Sequence, residues 1–455
     1  MIVMKFGGTS MGSAHTIGNC VVPLVAKAHS QGRNPLVVVS AMAGVTNRLL
    51  AASQAAVDGD VQEVASIIQA IQESHLETLK KLTHEEHSHR PGERIVDELF
   101  RLRVFLEAIA VVRELSCRSK DIVLAVGEKL SAIILAAALT KSGLQATYLP
   151  LDAVIERRKE ADPEQYWLHV QACFRSALES AAPGIPVLTG FFGPTRNGIM
   201  QAVGRGYSDF CAALVGAAVQ ADVVEIWTDV DGVLSTNPKV VPEAFLLQTI
   251  GFDEIAELAH FGAKVLHPHS VAPALRSGVP LRILNTFNPH GPGTAVVRTS
   301  VNSAAPFKSI SYKKSVAIIR LATPLMLFAH GYIAKVGAVF AAHQVSIDLV
   351  ATSEVSVSLS VEQPLNQLAD LLADLRPFGE VHALEGQSII CLVGTELDNS
   401  HDVLARVFHS LHEEGIQVRM LSMGDLRINL SLVVDDQQCE RTVRLLHQEF
   451  FPNPA

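Results

Sequence analysis

Up to about Leu284 the chain alternates short β-branched runs with long amphipathic stretches. The runs are IVMKF from Ile2, LVVVS from Leu36, IVLAV from Ile122, PVLTG from Pro186 and VVEIW from Val223. That alternation predicts a mostly parallel sheet covered by helices. In such sheets ligands gather beyond the carboxyl ends of the strands. Several of these runs lead straight into a turn rich in Gly, Ser or Thr, so the pattern itself marks the loops that would form a site. At 455 residues the chain is too long for one ordinary core, and two or three domains are expected.

Charge and composition exclude several classes. The formal charge of −9, from 37 basic and 46 acidic side chains, gives no polycationic face for a phosphate backbone, so no nucleic acid partner is expected. The most membrane-like stretch, Ile122 to Thr140, is interrupted by Glu128 and Lys129, and no membrane association is expected. The start MIVMKFGGTS has neither the basic beginning nor the apolar core of a signal peptide. Six widely spaced cysteines without a CxxC pair fit free thiols, and the cytoplasm is the expected location.

Between Asn285 and Ser311 the composition shifts to Pro, Gly, Asn and Ser, which reads as a connection between domains. The expected division is a catalytic domain over 1–290, a linker over 291–314, and two modules over 315–385 and 386–455. Each module has the βαββαβ order of a ferredoxin-like unit, the first from SVAIIRL at Ser315 and the second from SIICLVG at Ser388. The second runs out of chain before its closing strand, which it can borrow from residues 307–314. Tandem modules of this kind after a catalytic-looking domain suggest ligand sensing, by analogy of fold.

The first strand ends in KFGGTS, Lys5 to Ser10, followed by Gly12. Glycines let backbone N–H groups approach phosphate oxygens, and a neighbouring lysine supplies a point charge. A plain glycine turn with a solvated lysine is the equal alternative. The spacing from Gly7 to Gly12 lacks the lysine and hydroxyl of a P-loop, since Ser13 and Ala14 follow. SAMAGVTN, Ser40 to Asn47, reads either as a ligand loop or as a turn in which Thr46 caps a helix. AVGEKLSA places Glu128 just past an expected strand, where a helix dipole would favour it without any ligand.

GRGYSD, Gly204 to Asp209, is more informative. Arg205 between two glycines can present a planar fork to a carboxylate, whereas an N-capping role would account for Asp209 alone. WTDVDGV, Trp227 to Val233, suits a nucleotide or its magnesium, but equally an Asx turn. HFGAKVLHP brings Lys264 near His267 and Pro268, or is an ordinary helix ending at proline. The histidine cluster HEEHSHR, His84 to Arg90, lacks a fourth ligand and carries a run of charges, which favours a solvated loop over a metal site. No histidine is assigned to catalysis.

Taken in order, KFGGTS, SAMAGVTN, GRGYSD, WTDVDGV and FGAKVLHP resemble the aspartate kinases of the amino-acid kinase superfamily. GYIAKVGAVFAAHQVSIDLVATSEVSVSL resembles the first of two regulatory ACT modules in the monofunctional, lysine-sensitive branch. The resemblance implies an α/β amino-acid kinase fold followed by two ACT modules. It also implies transfer of the γ-phosphoryl group of ATP, with Mg²⁺, to the side-chain carboxylate of L-aspartate, a first step toward lysine, threonine and methionine. By resemblance, Lys5, Gly7 and Gly8 hold the ATP phosphates, Asp209 positions Lys5, and Thr228, Asp229, Lys239 and Lys264 face the nucleotide. Arg205 takes the α-carboxylate of aspartate and Glu128 its α-ammonium, with Ser40, Thr46, Phe191 and Ser208 completing the pocket.

The effector contacts would map onto Met326, Gly331, Tyr332, Ile333, Asp348, Thr352, Ser353 and Glu354. Lysine is the leading effector and threonine the runner-up. Several positions depart from the family pattern. Tyr207 stands where many members have glycine; Leu234, Asn237 and Lys239 replace the more frequent tyrosine, aspartate and arginine; Phe328 and Ala329 replace polar residues. Lysine in place of arginine loses the bidentate fork. The competing readings are a kinase of the same fold acting on another acidic acceptor, and an amino-acid sensor without turnover. Ferredoxin-like modules often pair edge to edge, so a homodimer or larger assembly through residues near 315–365 is expected.

Overall fold

The IVMKF run forms the central strand of a parallel sheet, and both its faces are covered. The computed structural model describes residues 1–83, 85–151, 163–180, 183–191, 206–261, 268–298, 306–326, 330–363, 368–394, 401–424 and 428–451. Among these, eight strands make the first sheet: β1 (Ile2–Phe6), β2 (Pro35–Val39), β3 (Ala146–Leu149), β4 (Ile185–Thr189), β5 (Val223–Thr228), β6 (Thr249–Gly251), β7 (Leu281–Asn285) and β8 (Thr294–Val297). Their order is β3-β4-β2-β1-β5-β7-β8-β6, and every pairing is parallel except β7 with β8. All five residues of β1 and of β2 are buried, which is why these strands read as continuous apolar runs without alternation. The chain runs from β1 to β2 on one side and returns to β5 on the other. The carboxyl ends of these strands therefore flank a point where the strand order reverses, the usual place for a ligand crevice.

One expected strand is absent. IVLAV from Ile122 lies inside a 25-residue helix, Cys117–Lys141, whose N-cap Ser116 accepts from the Ser119 N–H at 3.1 Å. The helix is buried around most of its circumference, so its apolar residues run together and mimic a buried strand. By length and composition it would suit a bilayer, but 89% of its apolar window is covered by protein. It packs in one core with β1, β2 and the helices Val45–Asp58, Val61–Leu82 and Glu85–Val112. The last of these also corrects the histidine cluster: residues 85–90 are helical rather than a loop, and His84 lies outside the described residues.

A second sheet holds six strands: β9 (Ser309–Ala322), β10 (Leu349–Thr352), β11 (Ser356–Glu362), β12 (Glu380–Val393), β13 (Met420–Ser422) and β14 (Asn429–Asp435), in the order β10-β11-β9-β12-β14-β13. The long strands β9 and β12 each serve two modules. Val316–Ala322 and Glu380–Leu384 complete one, and Ser309–Lys313 pairs with Ile389–Val393 to complete the other. Register shifts between Leu384 and Ile389, and a left-handed Ser315 at φ 59°, mark where each strand passes between them. Two apolar cores sit beneath the sheet, one around Val336, Phe340 and Leu371, the other around Val407, Leu432 and Val443.

The division of the chain differs from the expected one in two ways. The supposed linker 291–314 contains β8 and the start of β9, because Pro292 and Gly293 close a β7–β8 turn and the following TAVV is strand-forming. Compact units also form from discontinuous segments: 1–233, 248–252 and 265–299 in one, 234–247, 253–264 and 300–455 in the other. Segment 234–247 joins the second unit through Val240 and Val241, buried in the core that holds Phe450 and Phe451, and through Ser235 Oγ, which lies 2.9 Å from His447 Nε2. These apolar contacts are remote in sequence and carry no local signature.

Candidate active site

Within the first unit, the loops after β1, β2 and β4 and the start of the helix Tyr207–Val219 converge. Lys5, on β1, is buried to 8% side-chain exposure, and its ammonium stands 2.5 Å from Asp209 Oδ1. A buried ammonium requires such a partner. The contact is one of charge rather than an aligned hydrogen bond, for Asp209 Oδ1 accepts no hydrogen bond of normal geometry. Asp209 is not the N-cap of its helix; Gly206 is, and Asp209 sits in the first turn with its carboxylate directed to Lys5.

The glycine turn lies where Lys5 needs it. Gly7 N–H donates to the Trp227 carbonyl at 3.1 Å, tying the turn to β5. A Cβ at Gly8 would come within 3.2 Å of the Ala41 carbonyl, so the glycine lets the KFGGTS and SAMAGVTN turns lie against each other. At the end of β4, a Cβ on Gly190 would meet the Val39 carbonyl at 2.5 Å and Ser208 Cβ at 2.7 Å. Glycine there brings the helix start onto β2, where Ser208 Oγ and Ser40 Oγ share a hydrogen bond of 2.8 Å.

Glu128 is 1% exposed and lies well inside the helix Cys117–Lys141, so no helix terminus stabilises its charge. Burial pushes its carboxyl up to about 7, although a bond from the Tyr207 hydroxyl, the backbone N–H groups of Ala41 and of Glu128 itself, and the charge of Lys5 all favour ionisation. Its Oε2 has no hydrogen-bond partner. Tyr207 itself, 9% exposed, meets Phe191 edge-on, with ring centroids 5.2 Å apart. Burial and the neighbouring Glu128 charge push the phenol above its usual range. Thr46 is not a cap: Gly44 holds that position, and Thr46 lies in the first turn.

Lys5, Ser40, Thr46, Glu128, Phe191, Ser208 and Asp209 thus form one connected set, although they come from five separate stretches of sequence. Tyr207 joins them, and only its departure from a family pattern had marked it. At the end of β5, Thr228 Oγ1 donates to Asp229 Oδ1 at 3.2 Å, and Asp229 is exposed. Asp231 accepts from Asn285 and Asn288 at 2.9 and 3.0 Å, fixing that loop to the one after β7. Arg205, Lys264 and His267 lie outside the described residues. Lys239 belongs to the second unit, where it is exposed and its N–H bonds Asn237 Oδ1 at 3.0 Å. Among the described residues no cluster of three or more acidic, histidine or cysteine ligands is built to cage a metal.

The expected effector positions lie in the second unit. Asp348, with its side chain 3% exposed, is held at both oxygens by Lys313 Nζ at 3.0 Å, and His260 Nε2 is 3.3 Å away. Burial alone would raise its carboxyl, but the bonds from His260 and Lys313 outweigh burial and hold it below the usual range. Tyr332 is buried and donates to the Phe378 carbonyl at 2.9 Å, behind Gly331 at φ 74°. Ile333, Thr352, Ser353 and Glu354 are exposed, and Met326 ends a short 3₁₀ turn; Phe328 and Ala329 lie outside the described residues.

Residues 1–285 match the amino acid kinase family and residues 390–450 an ACT domain. The chain is 33% identical to Aspartokinase 1, chloroplastic, of Arabidopsis thaliana, over 99% of this chain and 80% of that one. It is 30% identical to the Aspartokinase of Schizosaccharomyces pombe, over 98% of this chain and 92% of that one. Among solved structures, aspartokinase III of E. coli in complex with lysine and aspartate superposes with a TM-score of 0.80 at 30% identity, covering 99% of both chains. The same enzyme in complex with aspartate and ADP gives the same score and identity, covering 99% of this chain and 100% of that one.

The Glu128 carboxyl yields a pH prediction. Its pKa rises from the ordinary 4.5 to about 7 on folding, so between those values the folded state holds more protons than the unfolded chain. Stability should then fall as pH rises through that window. Urea unfolding of the wild type and of Glu128→Gln from pH 4.5 to 8 checks this. The wild type should lose stability relative to the variant up to about pH 7 and hold steady above. A difference independent of pH would contradict the buried-carboxyl assignment.

Proposed function

This chain belongs to the aspartokinases and is an aspartate kinase, and we propose that its catalysis runs through the Lys5–Asp209 pair and the buried Glu128 and is restrained by lysine. The family uses ATP, and relatives of this kind do not favour a different acidic acceptor or a sensor without turnover. We assign catalysis to 1–290 and regulation to the modules over 315–385 and 386–455.

The observation that carries the site assignment is the buried Glu128 carboxyl, 1% exposed, whose Oε2 has no hydrogen-bond partner. Beside it the described residues hold a second buried pair, Lys5 with Asp209. The ammonium of a ligand would pair with Glu128 Oε2. Ser40, Thr46, Phe191 and Ser208 are proposed as the walls of that pocket, and Arg205 as the partner of the α-carboxylate.

The acceptor needs no general base, because a side-chain carboxylate with an ordinary pKa of about 3.9 is already ionised. Its oxygen forms the new bond to the γ-phosphorus as the bond to the β–γ bridging oxygen breaks and ADP leaves. Lys5, with the backbone at Gly7 and Gly8, would offset the charge that builds on the transferring group. Mg²⁺, brought with ATP, would need few protein carboxylates and would supply neutralisation of the phosphate charge. Thr228, Asp229, Lys239 and Lys264 are proposed to face the nucleotide.

For regulation, an effector's ammonium would compete with Lys313 for Asp348. Displacement is affordable, since Lys313 also pairs with the exposed Glu362 at 3.0 Å and keeps a partner. Lysine is the proposed effector, with threonine second, and the product is proposed to feed lysine, threonine and methionine synthesis. The exposed Ile333, Val350 and Val355, with β10 at a sheet edge, support a homodimer through the first module. A monomer by light scattering, with and without lysine, would remove that reading. The six cysteines, none in a disulfide, support a reducing compartment, proposed as the cytoplasm.

Two experiments follow. Trapping the acyl phosphate with hydroxylamine should give signal with L-aspartate but not with L-glutamate or N-acetylglutamate, and Lys5→Ala should lower turnover at least about 100-fold while remaining folded. Undiminished activity of that variant would remove Lys5 from the mechanism. In Lys313→Met, lysine should raise the melting temperature more than in wild type. If lysine fails to stabilise either protein, Asp348 is not an effector site.

A further inference from the structure

Asp348, the buried carboxylate assigned to an effector's ammonium, has a second neighbour that the effector assignment does not use. His260 Nε2 stands 3.3 Å from Asp348 Oδ1, the oxygen that Lys313 Nζ also holds at 3.0 Å. The imidazole is 47% exposed and the carboxylate 3%, so the histidine meets solvent on one side and a buried charge on the other. The helix that carries it, Phe252–His260, fixes its place. Every third residue of that helix is tied to the second sheet or to the residues beside its strands. Glu254 pairs with Lys308 Nζ at 3.1 Å with both side chains buried, Glu257 Oε2 accepts from Asn429 Nδ2 at 2.5 Å, and His260 meets Asp348. Residues three apart are neighbours on a helix face, so the two earlier ties aim the imidazole. All six of these residues belong to the second unit.

We propose that His260 is a further recognition residue of the effector site: neutral, it leaves Asp348 to an incoming ammonium, and protonated, it repels that ammonium. The inference rests on the effector reading of Asp348 above. Two like charges a few ångström apart oppose each other even where solvent weakens the interaction. Imidazoles change charge between about pH 5 and 8. An ammonium bound beside His260 disfavours its protonation, so binding expels a proton in that window and effector affinity falls as the pH falls.

The charged groups around the imidazole are Asp348 and, on β9, Lys313, whose other partner, Glu362 on β11, is 71% exposed. On its own helix Glu257 is spent on Asn429 and Glu254 on Lys308, and the adjoining Phe261 presents only a ring, edge-on with centroids 4.8 Å apart. Lys264 lies outside the described residues. Asp348 does not titrate in the same window. Burial would raise its carboxyl, yet the bonds from His260 and Lys313 hold it below the usual range and keep it ionised.

Calorimetric titration of L-lysine into the full chain at pH 5.5, 6.5 and 7.5 tests this. The Kd should rise at least about fivefold from pH 7.5 to pH 5.5, and buffers of differing ionisation enthalpy should reveal proton release on binding at pH 6.5. His260→Gln places a neutral side chain beside Asp348 and should bind at every pH about as tightly as the wild type does at pH 7.5, without proton release. His260→Arg carries a fixed charge and should bind at every pH about as weakly as the wild type does at pH 5.5. Asp348→Asn should abolish binding, which ties the heat to this site. A wild-type Kd independent of pH, or a pH dependence that survives in His260→Gln, would overturn the proposal. Failure of the wild type to bind lysine at any of these pH values, or undiminished binding by Asp348→Asn, would instead overturn the effector reading, and the proposal with it.

Discussion

Among the described residues, one buried ammonium beside two buried carboxylates governs the catalytic unit. Lys5 is paired with Asp209, and Glu128 is left charged or protonated according to what else enters. Holding three ionisable groups away from water is costly, and proteins keep such an arrangement only where the geometry is supported on all sides. Support here comes from three consecutive side chains at the start of one helix. Tyr207 packs edge-on to Phe191, Ser208 bonds Ser40, and Asp209 faces Lys5. The parallel sheet serves that helix start, since the carboxyl ends of β1, β2 and β4 present the backbone against which it seats.

How far the sequence disclosed this depends on the kind of signal each residue carried. Lys5 near the end of β1, Gly7, Gly8 and Ser40 after strands, and Ser208 at a helix start lie where local pattern and chemistry coincide, and their positions were legible. Glu128 was legible as a residue but misplaced, because a helix buried on most sides has no amphipathic period and reads as a strand followed by a cap. Asp209 and Thr46 read equally well as caps, and only tertiary contacts show that glycines take the caps and leave both side chains for the site. Tyr207 stood out as a departure from pattern, but its partners lie about 80 and 160 residues away and nothing local announces them.

In the second unit the ferredoxin-like order was legible from alternation, whereas the sharing of β9 and β12 was not. A strand of 14 residues that changes partners midway looks like two strands and a linker. The same segment hid Lys313, which reads as a solvated charge in a connection but lies against the buried Asp348. The residue assigned to an effector's ammonium thus already holds an ammonium from its own chain. Effector binding in this protein becomes an exchange of partners rather than the filling of an open site.

The acceptor's ammonium is held to pair with the Glu128 carboxylate, and proton release on binding measures that pairing directly. At pH 7 a carboxyl titrating at about 7 is half protonated, and an arriving ammonium should drive it to the charged form. Calorimetric titration of L-aspartate into the wild type, in buffers of differing ionisation enthalpy, should show release of about half a proton per aspartate bound, and Glu128→Gln should show none. Aspartate binding to the wild type without proton release at pH 7 would contradict the account.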